Sequence, residues 1–272
     1  MRTRATWILV WSAILFLAAT PARAQYGAKS MSDPATGETY HVEIGGYLWN
    51  PSPDLVIASE ALGIVGSRID FVKDLGIEKT TFRQLRTVLR PGRKHRLRFE
   101  YTPITYDAVG TLKANIVFNG ILYPVSLPVQ TELKWKAYRF AYEYDFLYKD
   151  RGFVGVVFDA KYTDIQATLS NVIDTEFVHA RAPIPTIGFI GRAYVAPNIS
   201  ITGELTGLGS GGLFGEDYRA HYVDFDLYGT VNFNDHVGAQ VGYRSFNVFY
   251  HLKHDDGNLD LKGLYVGGAF RF

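Results

Sequence analysis

The sequence has no cysteine, so no disulfide braces it, and the fold must rest on backbone pairing and packing. It also lacks an excess of charge of either sign. Its 28 Lys and Arg stand against 27 Asp and Glu over 272 residues, which leaves no basic footprint for nucleic acid. Beyond residue 24 no apolar run approaches the roughly 18 to 20 residues that a spanning helix needs. Helical periodicity is scarce everywhere after Tyr40. Any membrane insertion after that point has to use strands, because only helices and closed barrels satisfy their own backbone hydrogen bonds in lipid.

The one long apolar run is "WILVWSAILFLAA", with Arg2 and Arg4 before it and Ala22-Arg23-Ala24 after it. A charged start, a short apolar stretch and an A-x-A box predict a secretory signal peptide over residues 1–24. The run is short for a membrane anchor. Removing it takes away Arg2, Arg4 and Arg23 and no acids, leaving 25 bases against 27 acids and a net charge of −2. The expected organisation is a signal peptide (1–24), an N-terminal extension (25–39) and one domain (40–272).

What fills that domain is alternation. In "LKWKAYRFAYEYDFL", Tyr138, Phe140, Tyr142, Tyr144 and Phe146 share one face, and Arg139, Ala141, Glu143 and Asp145 the other. In "VDFDLYGTVNF", Val223, Phe225, Leu227, Val231 and Phe233 oppose Asp224, Asp226, Tyr228, Thr230 and Asn232, and in "HRLRFEY" Leu97, Phe99 and Tyr101 oppose Arg96, Arg98 and Glu100. Period-two patterning of this kind marks strands with two different faces. Such segments cover residues 40–49, 81–90, 95–107, 130–148, 152–168, 177–196, 199–208, 218–233, 237–253 and 258–272. The links alternate in length: "RPGRK", "YKDRG", "APN" and "FNDH" are tight turns, while the links near 50–80 and 108–129 are much the longest.

This pattern predicts an all-β fold, a transmembrane up-and-down antiparallel β-barrel of about ten strands, within a range of eight to twelve. A soluble sandwich or lipocalin-like barrel is the competing fold, with strands of about five or six residues around an aliphatic core. Many segments here exceed the roughly 9 to 11 residues that cross a bilayer at a tilt. The 18 Tyr and 18 Phe also suit interfacial girdles.

The chain finishes on "YVGGAFRF". With Tyr265, Gly267, Phe270 and Phe272 at set spacing, this resembles the C-terminal assembly signal of bacterial outer-membrane barrels. The wider stretch "GYRSFNVFYHLKHDDGNLDLKGLYVGGAFRF" resembles the final hairpin of small outer-membrane proteins of unassigned activity. The resemblance implies an outer-membrane location reached by the general secretory pathway. Its implied partners are periplasmic chaperones, the barrel-assembly machinery, outer-membrane lipid and lipopolysaccharide. Phe270 and Phe272 are then expected to face lipid and Arg271 to point inward.

Assigning faces puts Glu43, Glu100, Glu143, Asp145, Asp159, Glu204, Asp224 and Asp226 in the lumen with Arg86, Arg96, Arg98, Arg139, Lys161, Arg192 and Arg244. In a barrel of about eight to ten strands side chains about fill the interior, and a buried charge is costly unless paired. A packed salt-bridge network in a barrel with a structural or surface-interaction role is one reading. A narrow pathway for small polar solutes is the other. At "YRSFNVFYHL" the parity is ambiguous, since Val241 and Tyr243 alternate with one face and Phe246, Val248, Tyr250 and Leu252 with the other; a bulge near Arg244-Ser245 would turn both sets to lipid. Gly203, Gly207, Gly242, Gly263, Gly267 and Gly268 fall within strands and suggest bends or room beneath aromatic rings.

A barrel-embedded hydrolase would need a nucleophile or activated water, a His base and an orienting carboxylate. Of His41, His95, His179, His221, His236, His251 and His254, only "HLKHDD" clusters. His251, His254, Asp255 and Asp256 there could hold a metal, or simply make a solvated hairpin tip. "GLGSGGLFGED" lacks the Lys-Ser/Thr ending and following helix of a phosphate loop and reads as an outer loop. No catalytic residue, cofactor or metal is assigned, and oligomeric state is left open.

Overall fold

The structure, a computed structural model, describes residues 35–58, 60–61, 64–65, 67–112, 115–118, 121–126, 128–171, 175–209, 218–252 and 255–272. Ten long strands follow one another: β1 (Val42–Ala58), β2 (Phe82–Gly92), β3 (His95–Thr111), β4 (Pro128–Lys149), β5 (Gly152–Ser170), β6 (Thr175–Ala196), β7 (Ile199–Gly209), β8 (Tyr218–Asn232), β9 (Val237–Leu252) and β10 (Asp255–Arg271). Each pairs antiparallel with its sequence neighbours, and β10 returns to β1 over the whole register from Glu43↔Arg271 to Ala58↔Asp256. The sheet is a closed ten-stranded up-and-down barrel, each strand paired on both sides through its turn-end part. The short turns lie at one end with Val42 and Arg271; the long links lie at the other.

β1 runs nine residues beyond the expected end at Trp49, straight through Pro51 and Pro53. The reason is positional. Pairing of β2 with β1 stops at Trp49↔Phe82, while β10 continues alongside. Pro103 lies above Leu85↔Tyr101, the last β2–β3 pair, and Pro183 and Pro185 lie above Ile187↔Gly207, the last β6–β7 pair. A proline has no N–H to give to a missing neighbour, so each sits where one side of its strand has run out of partner.

The outward face is apolar near the turns. Leu97, Phe140, Phe146, Phe158, Phe189, Leu205, Leu227, Val241, Leu264 and Phe270 are all exposed there. Tyrosines bracket this band. His95 pairs across to Tyr144, and nearer the loops Tyr101, Tyr138 and Tyr162 lie side by side on adjacent strands, with ring centroids 4.8 and 6.3 Å apart. Two positions beyond Tyr138, the outward side chains turn polar, with Lys136 and Lys134 on β4 and the Arg181–Asp164 ion pair beside them at 3.3 Å. An apolar belt with aromatic margins is the exterior that a transmembrane barrel presents.

One expectation about faces is overturned. Pairing of β9 with β8 and β10 runs unbroken from Val237 to Leu252, with no bulge at Arg244-Ser245. Phe246 is therefore inside, 5% exposed, and Val248 packs half-buried on the same interior cluster. The apolar residues on the second parity are there because this stretch of the interior is itself apolar. The side chains of Tyr250 and Leu252 lie outside those described.

Candidate functional site

The lumen divides into two regions along the barrel axis. On the turn side all fifteen charged residues assigned inward are buried, from Glu143 and Asp145 at 0% exposure to Arg244 at 9%. Arg139 donates to Glu100 at 3.2 Å, to Asp159 at 3.0 Å and to Glu204. Arg244 reaches Glu100 at 3.1 Å and grips both oxygens of Asp224 at 3.0 and 2.7 Å. Lys161 joins Asp224 at 2.8 Å and Thr206 at 2.9 Å. Arg86 bridges Glu100 at 3.1 Å and Asp226 at 3.0 Å, inside a cage of the Tyr47, Tyr228 and Tyr265 rings. Arg96 binds Glu143 at 2.6 Å and also Asp145, and Arg98 binds Glu143 at 2.5 Å. Several pairs join adjacent strands, as Arg96 with Glu143 and Arg244 with Asp224, but Arg139–Glu204, Arg244–Glu100, Lys161–Asp224 and Arg86–Asp226 reach between strands that are not neighbours and tie the cylinder across its interior.

Three charged members were not assigned to this network from sequence. Arg271 was read as inward-pointing, and its Nε meets Glu43 at 2.5 Å. Arg90 has the same parity as Arg86 and Val88 on β2, and that parity was the available signal; the following Pro91-Gly92 turn masked it. Glu38 precedes every alternating segment and carries no signal of any kind. Residues 35–39, the described part of the 25–39 extension, cross the turn-end mouth of the barrel, and Glu38 accepts from Arg192 and Tyr194 at 2.9 Å each. Burial alone would raise the pKa of the Glu38 carboxyl; Arg192 and Arg96 nearby, with the Arg192 and Tyr194 hydrogen bonds, outweigh it and leave the value lowered. Beside it, burial and Glu43 push the Tyr40 phenol up to about 12.

On the loop side the interior becomes apolar. Leu55, Leu133, Trp135, Leu169, Phe246 and Leu261 point inward from the strands. Phe71, Leu75, Ile77, Leu112, Ile116 and Tyr123, from the two long links, pack down on them. A short pair of strands, Ile116–Phe118 and Ile121–Tyr123, carries part of this cover, and Ser67 ties the links together by donating to the Val117 carbonyl at 3.0 Å. Where the two regions meet, Glu100, Trp135, Arg139, Lys161, Tyr222 and Arg244 help line a void of about 30 Å³, room for a water or two.

The C-terminal residues split between the two surfaces. Phe270 and Phe272 face outward at 56% and 70% exposure, and Arg271 faces inward at 1%. Tyr265 is interior, donating to Asp226 at 2.8 Å. A side chain on Gly242 would meet the Tyr265 ring at 2.5 Å, and one on Gly267 would meet the Gly46 carbonyl oxygen at 2.2 Å and the Tyr47 ring at 2.4 Å. Gly242 and Gly267 are thus room for rings in the wall of the lumen.

Among the described side chains His41, His95, His221 and His236 lie exposed, His95 against the Tyr142 hydroxyl and His221 against Asn247, each at 2.7 Å. His254 and the "GLGSGGLFGED" residues 210–217 lie outside the described residues, as do the side chains of His179, His251, Asp255 and Asp256.

No protein-family model matches the chain, and no curated protein does. Solved structures do. The outer-membrane protease OmpT of Escherichia coli superposes with a TM-score of 0.59 at 9% identity, over 89% of this chain and 100% of that one. Ail, the attachment invasion locus protein of Yersinia pestis, covers 85% of this chain and 99% of its own at 6% identity and a TM-score of 0.38. The Pseudomonas putida toluene transporter TodX covers 89% and 92% at 10% identity and 0.35. The chain is an all-β protein with the closed antiparallel barrel fold of outer-membrane proteins, and at these identities the likeness extends to the fold alone.

Proposed function

We propose that this chain is an integral outer-membrane barrel with a filled lumen, serving a structural or surface-interaction role and conducting no solute. Residues 1–24 are its cleaved export signal, residues 25–39 an N-terminal segment and residues 40–272 the barrel. Assembly machinery reads its C-terminal strand, with periplasmic chaperones carrying the unfolded chain, and the exterior belt meets lipid and lipopolysaccharide. The turns then lie in the periplasm and the long links outside the cell.

The observation that carries this reading is the double filling of the interior, cross-wall ion pairs on the turn side and loop side chains packed into the other. The two lie in series along the axis, so a conducting path has to open both. Proteolysis, named for OmpT, is not carried over, because at 9% identity the likeness extends to the fold alone.

Purified protein in planar bilayers is expected to give no resolved conductance steps; regular steps would establish the narrow-channel reading instead. Fractionation tests the location. The protein should sediment with outer membrane and show heat-modifiable gel mobility, and recovery from the soluble periplasm without detergent would reject it.

A further inference from the structure

The stretch Thr36–Tyr40 crosses the turn-end mouth without belonging to the sheet. Thr36 N–H donates to the Pro197 carbonyl at 2.7 Å and Gly37 N–H to Asp235 at 2.7 Å, while the Thr36 carbonyl accepts from Asn232 at 2.6 Å and from the Tyr194 hydroxyl at 3.3 Å. Gly37 has φ +84, and a side chain there would meet Arg271 at 2.8 Å and Asn232 at 3.0 Å, so only glycine lets this strap lie so low. It delivers Glu38 into a cage. One carboxylate oxygen takes Arg192 and Tyr194 at 2.9 Å each; the other has Arg90 and Arg96 at 3.5 Å.

Three guanidinium groups around one carboxylate is more positive charge than the strap needs. Arg96 has Glu143 and Asp145 as well, but among the described residues neither Arg90 nor Arg192 has another carboxylate within ion-pair distance. Neutral groups hold these two in place instead. Arg90 donates through Nη2 to the Arg93 carbonyl at 3.2 Å and to Tyr148 at 2.8 Å, and through Nη1 to the backbone carbonyl of Glu38, which a side-chain change at 38 leaves in place; Arg192 donates to Thr202 at 2.9 Å and Tyr228 at 3.4 Å. Donors fixed by other partners form a binding site that exists before its ligand arrives. Two oxygens in one plane, each met by donors, is the geometry of a carboxylate.

We propose that Arg90, Arg96, Arg192 and the Tyr194 hydroxyl form a binding site for a small carboxylate at the inner mouth of the barrel, with Glu38 filling it as a tethered ligand. A free carboxylate takes the same place when the Glu38 side chain is withdrawn. In the intact protein the tethered group competes at an effective concentration on the order of millimolar or above, so added carboxylate has little effect until it exceeds that level.

The test uses the full mature chain folded in detergent, with acetate as the probe. Glu38→Ala should lower the melting temperature, and acetate raised through the millimolar range should restore it along a saturating curve, while chloride at matched ionic strength does not. The unaltered protein should not respond over the same range. Nor should Glu38→Gln, whose amide fills the space, or Glu38→Ala combined with Arg192→Ala. If Glu38→Ala fails to refold alone, the refolded fraction with and without acetate is the readout, judged the same way. Absence of restoration by acetate overturns the site, and so does equal restoration by chloride or in the Arg192→Ala background.

Discussion

On the turn side of the lumen, Arg139 needs Glu100, Asp159 and Glu204 from three other strands, each in hydrogen-bond reach. On the loop side, Leu133 of the same strand needs only neighbours of suitable volume, and finds them in the surrounding apolar cluster. The two regions share strands, yet place different demands on sequence. Ion pairs are directional and costly to leave incomplete. Apolar packing is tolerant of exchange so long as volume is kept. One half of this interior should therefore be brittle and the other forgiving, a contrast that single substitutions can break.

The largest effect is expected at Arg139. Arg139→Ala takes a partner from three buried carboxylates, leaving Glu100 to Arg86 and Arg244, Asp159 to Lys161 at 3.5 Å and Glu204 to Arg98 at 3.7 Å, and removing one partner of a buried pair costs about 3 to 5 kcal/mol. Urea unfolding of the barrel in detergent or vesicles should show the loss directly. An unchanged midpoint would mean that water reaches these groups and would favour the open-pathway reading.

Acid should act next, at the mouth. The Glu38 carboxyl is lowered relative to its ordinary value of 4.5. A carboxyl lowered by folding stabilises the protein fully above its unfolded value, and that contribution disappears as pH falls through the folded value. Arginine stays charged and phenols stay neutral in acid, and Glu43 pairs with Arg271. Stability should fall as the pH drops below the usual carboxylate range. Glu38→Gln should remove that part of the acid dependence and at neutral pH cost about 1.5 to 3 kcal/mol, the worth of hydrogen bonds to a charged group. An acid limb identical in the variant would assign the dependence to other carboxylates.

How much of this was legible in the sequence follows the same division. Parity alone placed the charged residues, because on β3, β4 and β8 a charged inner face opposes an apolar outer one. Along β9 it failed: where the interior turns apolar both faces look alike, and Phe246 and Val248 read as lipid-facing. Pro51 and Pro53 concealed the upper half of β1, since a proline's tolerance depends on whether the neighbouring strand has ended, a fact of register. The packing of Phe71, Leu75 and Ile77 over the barrel mouth left no periodic trace, and neither did the entry of Glu38. Links and straps are placed by what they bury against, and their sequences carry no repeat.

A smaller effect is expected in the apolar half. Ile104 is 2% exposed within the loop-side cluster, and Ile104→Val should cost about 0.5 to 1.5 kcal/mol. Set beside Arg139→Ala on the same assay, it measures the asymmetry. If the two costs are equal, the proposed brittleness of the charged half is wrong.

The smallest effect on the folded barrel is expected at Phe272, which belongs to neither half. Its ring is 70% exposed on the outer face, so substitution forfeits far less than the roughly 1.5 to 3 kcal/mol that full burial of such a side chain supplies. Its backbone is another matter. The Phe272 carbonyl accepts from His41 at 2.7 Å and Val42 at 3.0 Å, and its N–H donates to the Val42 carbonyl at 2.8 Å, closing the β10–β1 seam at the turn end. Deleting the residue would remove those bonds together with the ring and confuse the two roles, whereas Phe272→Ser keeps the seam and removes only the ring. Tyr265 and Gly267 cannot separate recognition from stability in this way, since both are built into the lumen wall. A C-terminal strand that is read by pairing with a receptor edge offers its outward aromatics to pockets on that receptor. Phe272→Ser should then unfold in micelles at nearly the same denaturant concentration as the unaltered protein, while less of it reaches the outer membrane in cells. Equal losses in both assays would make the ring a stabilising element of the barrel, and normal amounts in cells would mean that assembly does not read it.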